Sequence, residues 1–302
     1  MNILIVGGAG YLGSHVSRLL GNRCKVYDNL MYRHEFLDDV SFVYGDVNDH
    51  KHLSCYLKEA ETVIWLAAVV GDAACELDPV LAMETNTEAV KFLAKEFDGL
   101  VIFTSTASVY GFSNFPVTET SPLNPLSIYA ETKANAEGYL LNRQGPTTIL
   151  RLGTLYGVSP RMRFDLVVNA MSRDAVMKKE VNVFGGDQWR SLAHVGGVAE
   201  LIRSLVGGGH ESGVYNITDV DSSIGDIATL VQGIAGGTVR VHGSGCEDAR
   251  SYVIDGTKSL ALRPAGSQVS MAETVAAIKR MLVEGRIRNP YGDQYINVKA
   301  RL

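Results

Sequence analysis

Ile3-Leu4-Ile5-Val6-Gly7-Gly8-Ala9-Gly10-Tyr11-Leu12-Gly13 is the stretch that decides the fold. Four apolar residues in a row suit a short strand buried on both faces. Glycines then crowd the point where the strand ends, and a helical period runs over about 13–20. Glycine allows a tight turn and a close approach of backbone to an anion. The helix after the turn offers unpaired N–H groups and a favourable dipole to that anion. The spacing fits GxGxxG from Gly8 and GxxGxxG from Gly7.

Such a loop alone could be a plain structural turn. The next strand makes it specific. Lys25–Asp28 reads as a second strand ending in an acid, whose carboxylate can accept both ribose hydroxyls and repel a 2′-phosphate. The motif is therefore read as a dinucleotide site for NAD rather than NADP. Asp46 and Val47, just past a third strand at Ser41–Tyr44, are expected to reach the adenine.

Further along the chain, strand-like runs alternate with helical periods: a helix over His50–Glu59, a strand over Val63–Ala68, a helix over about Leu81–Glu96 and a strand over Leu100–Ser105. A helix over Tyr129–Asn142 and a strand over Thr147–Leu152 come next. Crossovers of this length predict an α/β fold with a Rossmann-type, doubly wound parallel sheet. Beyond about residue 160 glycine clusters separate short elements, and only Val198–Leu205 and Met271–Glu284 read clearly as helices. The expected division is 1–165 for NAD, with segments returning at about 190–220. A smaller, discontinuous C-terminal substrate-binding lobe occupies 166–302. The tail after Pro290 reads as an extended arm on the body or on a partner subunit.

The 302 residues carry 28 Lys plus Arg against 33 Asp plus Glu, with 46% hydrophobic residues, as in an ordinary soluble domain. No basic run or basic-aromatic stripe suggests nucleic acid. The longest apolar run, Val63–Val70, is too short to span a bilayer, and Met1-Asn2 leads directly into the first strand. The expectation is a cytoplasmic protein off the membrane. Cys24, Cys55, Cys75 and Cys246 are scattered without metal spacing and read as reduced thiols, Cys75 as a small buried one. His50 and His52 read as a solvated turn, and no metal site is expected.

Tyr129-Ala130-Glu131-Thr132-Lys133 places a phenol and an ammonium one helical turn apart. A tyrosine works as a base near neutrality only if its pKa falls several units, which a neighbouring cation favours. The spacing is weak by itself, and Tyr295 with Lys299 repeats it, read as coincidence. Tyr129 gains from Phe103-Thr104-Ser105-Thr106-Ala107-Ser108-Val109-Tyr110-Gly111, a strand ending in hydroxyls. Carboxyl ends of parallel strands face the ligand crevice, so Thr106 can bond the oxygen that Tyr129 deprotonates.

With these pieces the chain resembles the extended short-chain dehydrogenase/reductases of the nucleotide-sugar epimerase/dehydratase family, along nearly its whole length. The resemblance runs through Gly7, Gly10 and Gly13; Asp28-Asn29-Leu30; Asp46-Val47; Leu66-Ala67-Ala68; Asn86; Thr106 to Gly111; Tyr129 and Lys133; Arg151 to Gly157; Trp189-Arg190; and Arg250-Ser251-Tyr252. It implies bound NAD that oxidises a sugar hydroxyl, usually at C4, with Tyr129 taking the proton, Lys133 holding the nicotinamide ribose and Thr106 orienting the oxygen. Tyr11, Leu12, Thr104 and Leu152 join the implied cofactor set. Arg190 and Arg250 are implied for the substrate diphosphate. Arg161 and Arg163, in a stretch similar to a bacterial surface-polysaccharide subgroup, are candidates for the diphosphate or sugar, and Asn169 belongs to the same stretch. A homodimer paired through helices of the Rossmann domain is the family's habit.

Departures narrow the reading. Trp65 stands where many relatives have His before the Ala pair, and Thr154 where many have Asn. Relatives that eliminate water or decarboxylate carry an acid just after Thr106, where this chain has Ala107 and Ser108. Three functions remain at this point. One is an NDP-sugar 4-epimerase, and another a net 4-dehydrogenase or ketoreductase. The third is a non-catalytic NAD sensor, disfavoured because Thr106, Tyr129 and Lys133 are all present.

Overall fold

A computed structural model describes residues 2–32, 40–242 and 252–297. Strands β1 (Ile3–Val6), β2 (Cys24–Asp28), β3 (Ser41–Tyr44), β4 (Thr62–Trp65), β5 (Leu100–Thr106) and β6 (Thr147–Leu152) alternate with helices α1 (Gly13–Leu20), α2 (His50–Leu57), α3 (Asp72–Leu77), α4 (Pro79–Met83), α5 (Ala89–Glu96) and α6 (Ile128–Leu141). The chain continues through β7 (Thr154–Tyr156), α7 (Val167–Met177), β8 (Glu180–Phe184), β9 (Trp189–His194), α8 (Val195–Leu205), β10 (Gly213–Ile217), β11 (Val220–Ser223), α9 (Ile224–Ala235), β12 (Thr238–His242) and α10 (Met271–Val283).

Seven strands form one parallel sheet in the order β3-β2-β1-β4-β5-β6-β10. The alternation of apolar side chains along β1 explains why it lies inside the sheet, between β2 and β4. Ile3 and Ile5 join Val16 and Leu20 of α1 and Leu201 and Ile202 of α8 on one face; Leu4 and Val6 join Leu53, Leu93 and Leu140 on the other. Each such side chain contributes about 1.5–3 kcal/mol on burial, so β1 stabilises the layers on both faces of the sheet. Strand order reverses between β1 and β4, which opens a crevice at their carboxyl ends. Trp65 is wholly buried in the second layer.

After β7 the chain builds smaller sheets, β11-β9-β7 and β12-β8, around a second core shared by α7, α9 and α10. Within that stretch β9 leads to α8, which packs on α1, and β10 pairs with β6 at the edge of the large sheet.

Several elements differ from the sequence reading. The lobe is more helical than its glycines suggested, because α7 and α9 lack clear signals. Leu166 precedes α7 without a side-chain cap, and β-branched residues and two glycines dilute α9. The cap of α9 was legible, since Ser223 accepts from the Asp226 amide. Strand β4 stops at Trp65, because the amides of Leu66 and Ala67 both turn to the Val6 carbonyl at 2.8 and 2.9 Å. The helix read from about Leu81 starts at Pro79, capped by Asp78, and a π turn at Glu84–Glu88 divides it. His50 and His52 lie in the first turn of α2, with His50 stacked on Phe92 and His52 bonded to the Tyr27 hydroxyl, so the solvated-turn reading is corrected.

Candidate active site

The glycine loop, the ends of β2, β4, β5 and β6 and the segments after β7 enclose a cleft of about 670 Å³. Gly7 has φ of 86°, and a Cβ there would strike the backbone of Ala67. At Gly13 a Cβ would strike the Gly7 carbonyl and the Gly8 backbone. Gly10 differs: its nearest neighbour is the Gly7 carbonyl at 3.4 Å, so it faces open space in the cleft. Two of these glycines thus shape the loop, and the third leaves room for a ligand. Tyr11 and Leu12 also line the cleft at the start of α1, where a helix's first amides lack intrahelical acceptors.

Asp28 closes the cleft beside this loop. Its carboxylate accepts from the Ala9 amide at 2.9 Å and the Leu30 amide at 2.8 Å. Burial pushes its pKa up, and the two amides work against that rise. Asn29, Val47, Leu66, Ala67, Ala68, Thr104 and Leu152 line the same cleft. Leu30 acts through its amide. Asp46 accepts from Asn29 Nδ2 at 3.0 Å and the Asn48 amide at 2.8 Å, steadying the loop rather than lining the cleft. A cradle open at Gly10, helix amides and a positioned carboxylate fit a dinucleotide's pyrophosphate and ribose.

At the other end stand the hydroxyls and the Tyr–Lys pair. Thr106 Oγ accepts from the Ser108 amide and donates to Ser108 Oγ, both at 3.1 Å. Ser127 caps α6 and donates to Asp72 at 2.6 Å, fixing the helix start that presents Tyr129. Tyr129, Lys133 and Thr106 all line the cleft. Burial raises Tyr129, with Cys75 and Asp72 adding to the rise and Arg163 opposing it. Lys133 is pushed down to about 7, again chiefly by burial, while Glu137 opposes the fall. In the free chain both groups therefore lean toward their neutral forms, opposite to the lowered Tyr129 that base catalysis needs.

Asn86 does not line the cleft. Its amide clamps both backbone groups of Val69, at 2.8 and 3.0 Å, and donates to Thr132 on α6 at 3.1 Å. The π turn that carries it thus ties the loop after β4 to the helix of Tyr129 and Lys133. Cys75 is wholly buried with its thiol pushed up to about 12 by burial, matching the small buried thiol expected.

Arg161, Arg163 and Arg190 converge on the cleft from the later segments. Arg163 pairs with Asp165 through two bonds, at 2.9 and 3.0 Å. Asn169 works behind them, bonding the Tyr11 hydroxyl at 3.1 Å and the Arg163 carbonyl at 2.9 Å. Arg250 lies outside the described residues, as do Cys246 and Lys299. Tyr295 packs edge-on against Phe164, 5.5 Å between centroids.

Sequence reasoning missed Tyr32, Asp165, Phe184, Gln188 and Asn297, all of which line the cleft. Asp165 had a readable signal in its spacing two residues from Arg163. Asn297 had none, being brought back by the tertiary fold. No helix among the described residues is long and apolar enough to cross a membrane.

Known proteins share the sequence pattern and the fold. The family model described as "NAD dependent epimerase/dehydratase family" matches residues 3–218. Over 150 residues the chain is 37% identical to a UDP-glucose 4-epimerase of Halalkalibacterium halodurans, covering 45% of this chain and 44% of that one. The structure resembles the Thermus thermophilus UDP-glucose 4-epimerase in complex with NAD, with TM-score 0.80 and 25% identity over 93% of this chain and 98% of that one. It also resembles DesIV, a dTDP-glucose 4,6-dehydratase of Streptomyces venezuelae with NAD and TYD bound, with TM-score 0.82 and 25% identity over 95% and 98%. The chain belongs to the NAD-dependent epimerase/dehydratase family and is an NAD-dependent enzyme of the extended short-chain dehydrogenase/reductase type.

Proposed function

We propose that the protein is an NDP-sugar 4-epimerase, oxidising a sugar hydroxyl at C4 and returning hydride to the opposite face. One observation carries the reading: Thr106, Tyr129 and Lys133 line the same cleft as the glycine loop and Asp28, and Arg190 is part of that lining. NAD, when bound, supplies the hydride acceptor and later the donor. Tyr129 takes the hydroxyl proton and gives it back, and Thr106 holds the same oxygen in line. Lys133 holds the nicotinamide ribose, and its charge favours the phenolate. Burial alone favours a neutral phenol and a neutral amine, so Tyr129 becomes a base only when positive charge enters the cleft with the ligands.

Arg190 binds the diphosphate through its guanidinium fork. Ala107 and Ser108 offer no acid beside Thr106, which favours epimerisation over loss of water or carbon dioxide. In this reading residues 1–165, with the returning 190–220, hold NAD, and most of 166–302 holds the sugar nucleotide. Pairing as a homodimer in the cytoplasm completes it, with exposed Met83, Tyr139 and Leu141 on α4 and α6 available for the contact.

A panel of UDP-, GDP-, CDP- and dTDP-sugars tests the proposal. An isomer should form without added cofactor and without lasting absorbance at about 340 nm, the signature of reduced nicotinamide. Stoichiometric reduced cofactor would replace epimerisation by net dehydrogenation. No turnover with any sugar would overturn both.

A further inference from the structure

Arg161 is 4% exposed, yet among the described residues no carboxylate lies within ion-pair distance of it. Its Nη1 donates to Asn297 Oδ1 at 2.7 Å, a neutral acceptor, and its Nε has no hydrogen-bond partner. Neighbouring Arg163 is different, because Asp165 already balances its charge. A buried guanidinium left this way is costly unless an anion completes it. Burial and Arg163 together push its pKa down to about 10, which still leaves it a cation near neutrality.

The surroundings of Arg161 belong to the dinucleotide half of the cleft. The segment just before it docks on the glycine loop and α1. The Tyr11 hydroxyl donates to the Gly157 carbonyl at 2.6 Å, the His15 ring meets the Val158 carbonyl at 2.7 Å, and Ser159 donates to the Tyr11 carbonyl at 2.6 Å. The guanidinium carbon lies 4.9 Å from the centre of the Tyr32 ring, which comes shortly after Asp28-Asn29-Leu30 in the chain. Asp165 and Asp28 both interact with it through space, but Asp165 is paired with Arg163, and Asp28 makes its bonds to the amides of Ala9 and Leu30. The anionic part of a dinucleotide is its pyrophosphate, and the turn of Gly7 to Gly13, suited to hold it, lines the same cleft as Arg161.

We propose that Arg161 is a cofactor-binding residue, a counter-ion to the NAD pyrophosphate, and that Asn297 in the C-terminal segment positions it. This rests on NAD occupying the cleft, and it moves Arg161 from the sugar nucleotide, where the sequence reading put it, to the cofactor. Asn297 fits the positioning role at both ends. Its side chain takes the Arg161 bond, and its amide donates to Asp165 at 3.0 Å. The Phe164 amide donates to the Tyr295 carbonyl at 2.9 Å, which ties the same segment to the loop of the two arginines. The end of the chain thereby helps retain a cofactor whose loop is almost three hundred residues away.

Calorimetry on NAD-free protein tests this, titrating NAD, ADP, UDP and GDP into wild type, Arg161→Gln and Asn297→Ala. Arg161→Gln should weaken NAD and ADP by about tenfold to a hundredfold, the loss of a charge-assisted bond, and leave UDP and GDP unchanged. Unchanged NAD and ADP affinity, or a loss confined to UDP or GDP, would overturn the assignment. Asn297→Ala leaves the guanidinium in place but unaligned, and should weaken NAD by about threefold to tenfold with an unchanged melting temperature. It is the arm to read if Arg161→Gln lowers the melting temperature, and NAD binding equal to wild type would remove Asn297 from the site. Wild-type protein that binds no NAD would overturn the cofactor premise itself.

Discussion

The Lys133 ammonium sits 3.9 Å from the centroid of the Phe103 ring, holding α6 against β5. The ring face returns only part of what the charge loses on leaving water, on the order of 0.5–2 kcal/mol. Burial therefore still lowers the Lys133 pKa to about 7.

That shift has a sign for stability. The unfolded chain holds the Lys133 proton up to its ordinary value of 10.5, whereas the folded chain releases it near 7. Between those values the unfolded state binds more protons, so this group makes stability rise with pH across the window. Cys24 and Cys75, pushed up to about 11 and 12, act oppositely once pH approaches the ordinary thiol value of 9. Melting NAD-free wild type and Lys133→Met from about pH 6 to 8.5 isolates the lysine. The variant should melt higher at pH 6, and the gap should narrow as pH rises. A constant gap would show that Lys133 keeps its charge in the folded cleft.

Glu137, one turn beyond Lys133, forms a buried ion pair with Arg151 at 2.6 Å. The carboxylate also accepts from Ser105, and Arg151 reaches the Tyr110 hydroxyl at 2.8 Å, so α6 is tied to β5 and β6 beside Thr106. Removing one partner leaves a buried charge uncompensated, typically at about 3–5 kcal/mol. Glu137→Gln should lose about that much in denaturant unfolding. It should also lower the Lys133 pKa further, because Glu137 opposes its fall. A loss below about 1 kcal/mol would mean that Tyr110 and the Glu119 carbonyl suffice for Arg151.

Legibility from sequence tracks the range of the interactions. The glycine loop, Asp28 and the Tyr129–Lys133 spacing are local patterns, so strand, turn and helix could be read from neighbouring residues. Thr106 was legible because strand ends in a parallel sheet share one side. Asn86 and Asn169 were placed among ligand contacts, but each spends its amide on backbone, Asn86 on Val69 and Asn169 on Arg163. Asn297 and Tyr32 were invisible because only tertiary packing brings them to Arg161. The direction of the Tyr129 shift in the free chain was equally hidden, since spacing shows a neighbouring cation but not the depth of burial that dominates both groups.

The glycines of the loop should separate under substitution. Gly13→Ala drives a methyl into the Gly7 carbonyl and the Gly8 backbone, neither of which can swing aside. It should cost about 1–3 kcal/mol in the absence of NAD, as overpacking does. Gly10→Ala meets only the Gly7 carbonyl at 3.4 Å and projects into the cleft. Its NAD-free stability should stay within about 0.5 kcal/mol of wild type, while NAD affinity falls about tenfold or more. Thermal melts with and without NAD read both effects. Equal NAD binding by Gly10→Ala would place the pyrophosphate elsewhere.

Tyr129→Phe removes one hydroxyl from a partly buried ring and leaves the packing against Val69 and Cys75 intact. If that oxygen is the base, turnover should fall by about 10²–10⁴, the usual worth of a positioned proton acceptor. NAD binding should be nearly unchanged, since Asp28, the glycine loop and Lys133 remain. Thr106→Val is the companion, because it keeps shape but removes the hydroxyl proposed to steady the substrate oxygen. Its loss should be smaller, about tenfold, through one hydrogen bond rather than the proton transfer itself. Isomer formation per bound NAD is the quantity to measure, with cofactor content determined in parallel. Turnover by Tyr129→Phe at the wild-type rate would take the phenol out of the chemistry, and a parallel loss of NAD would make its role one of binding.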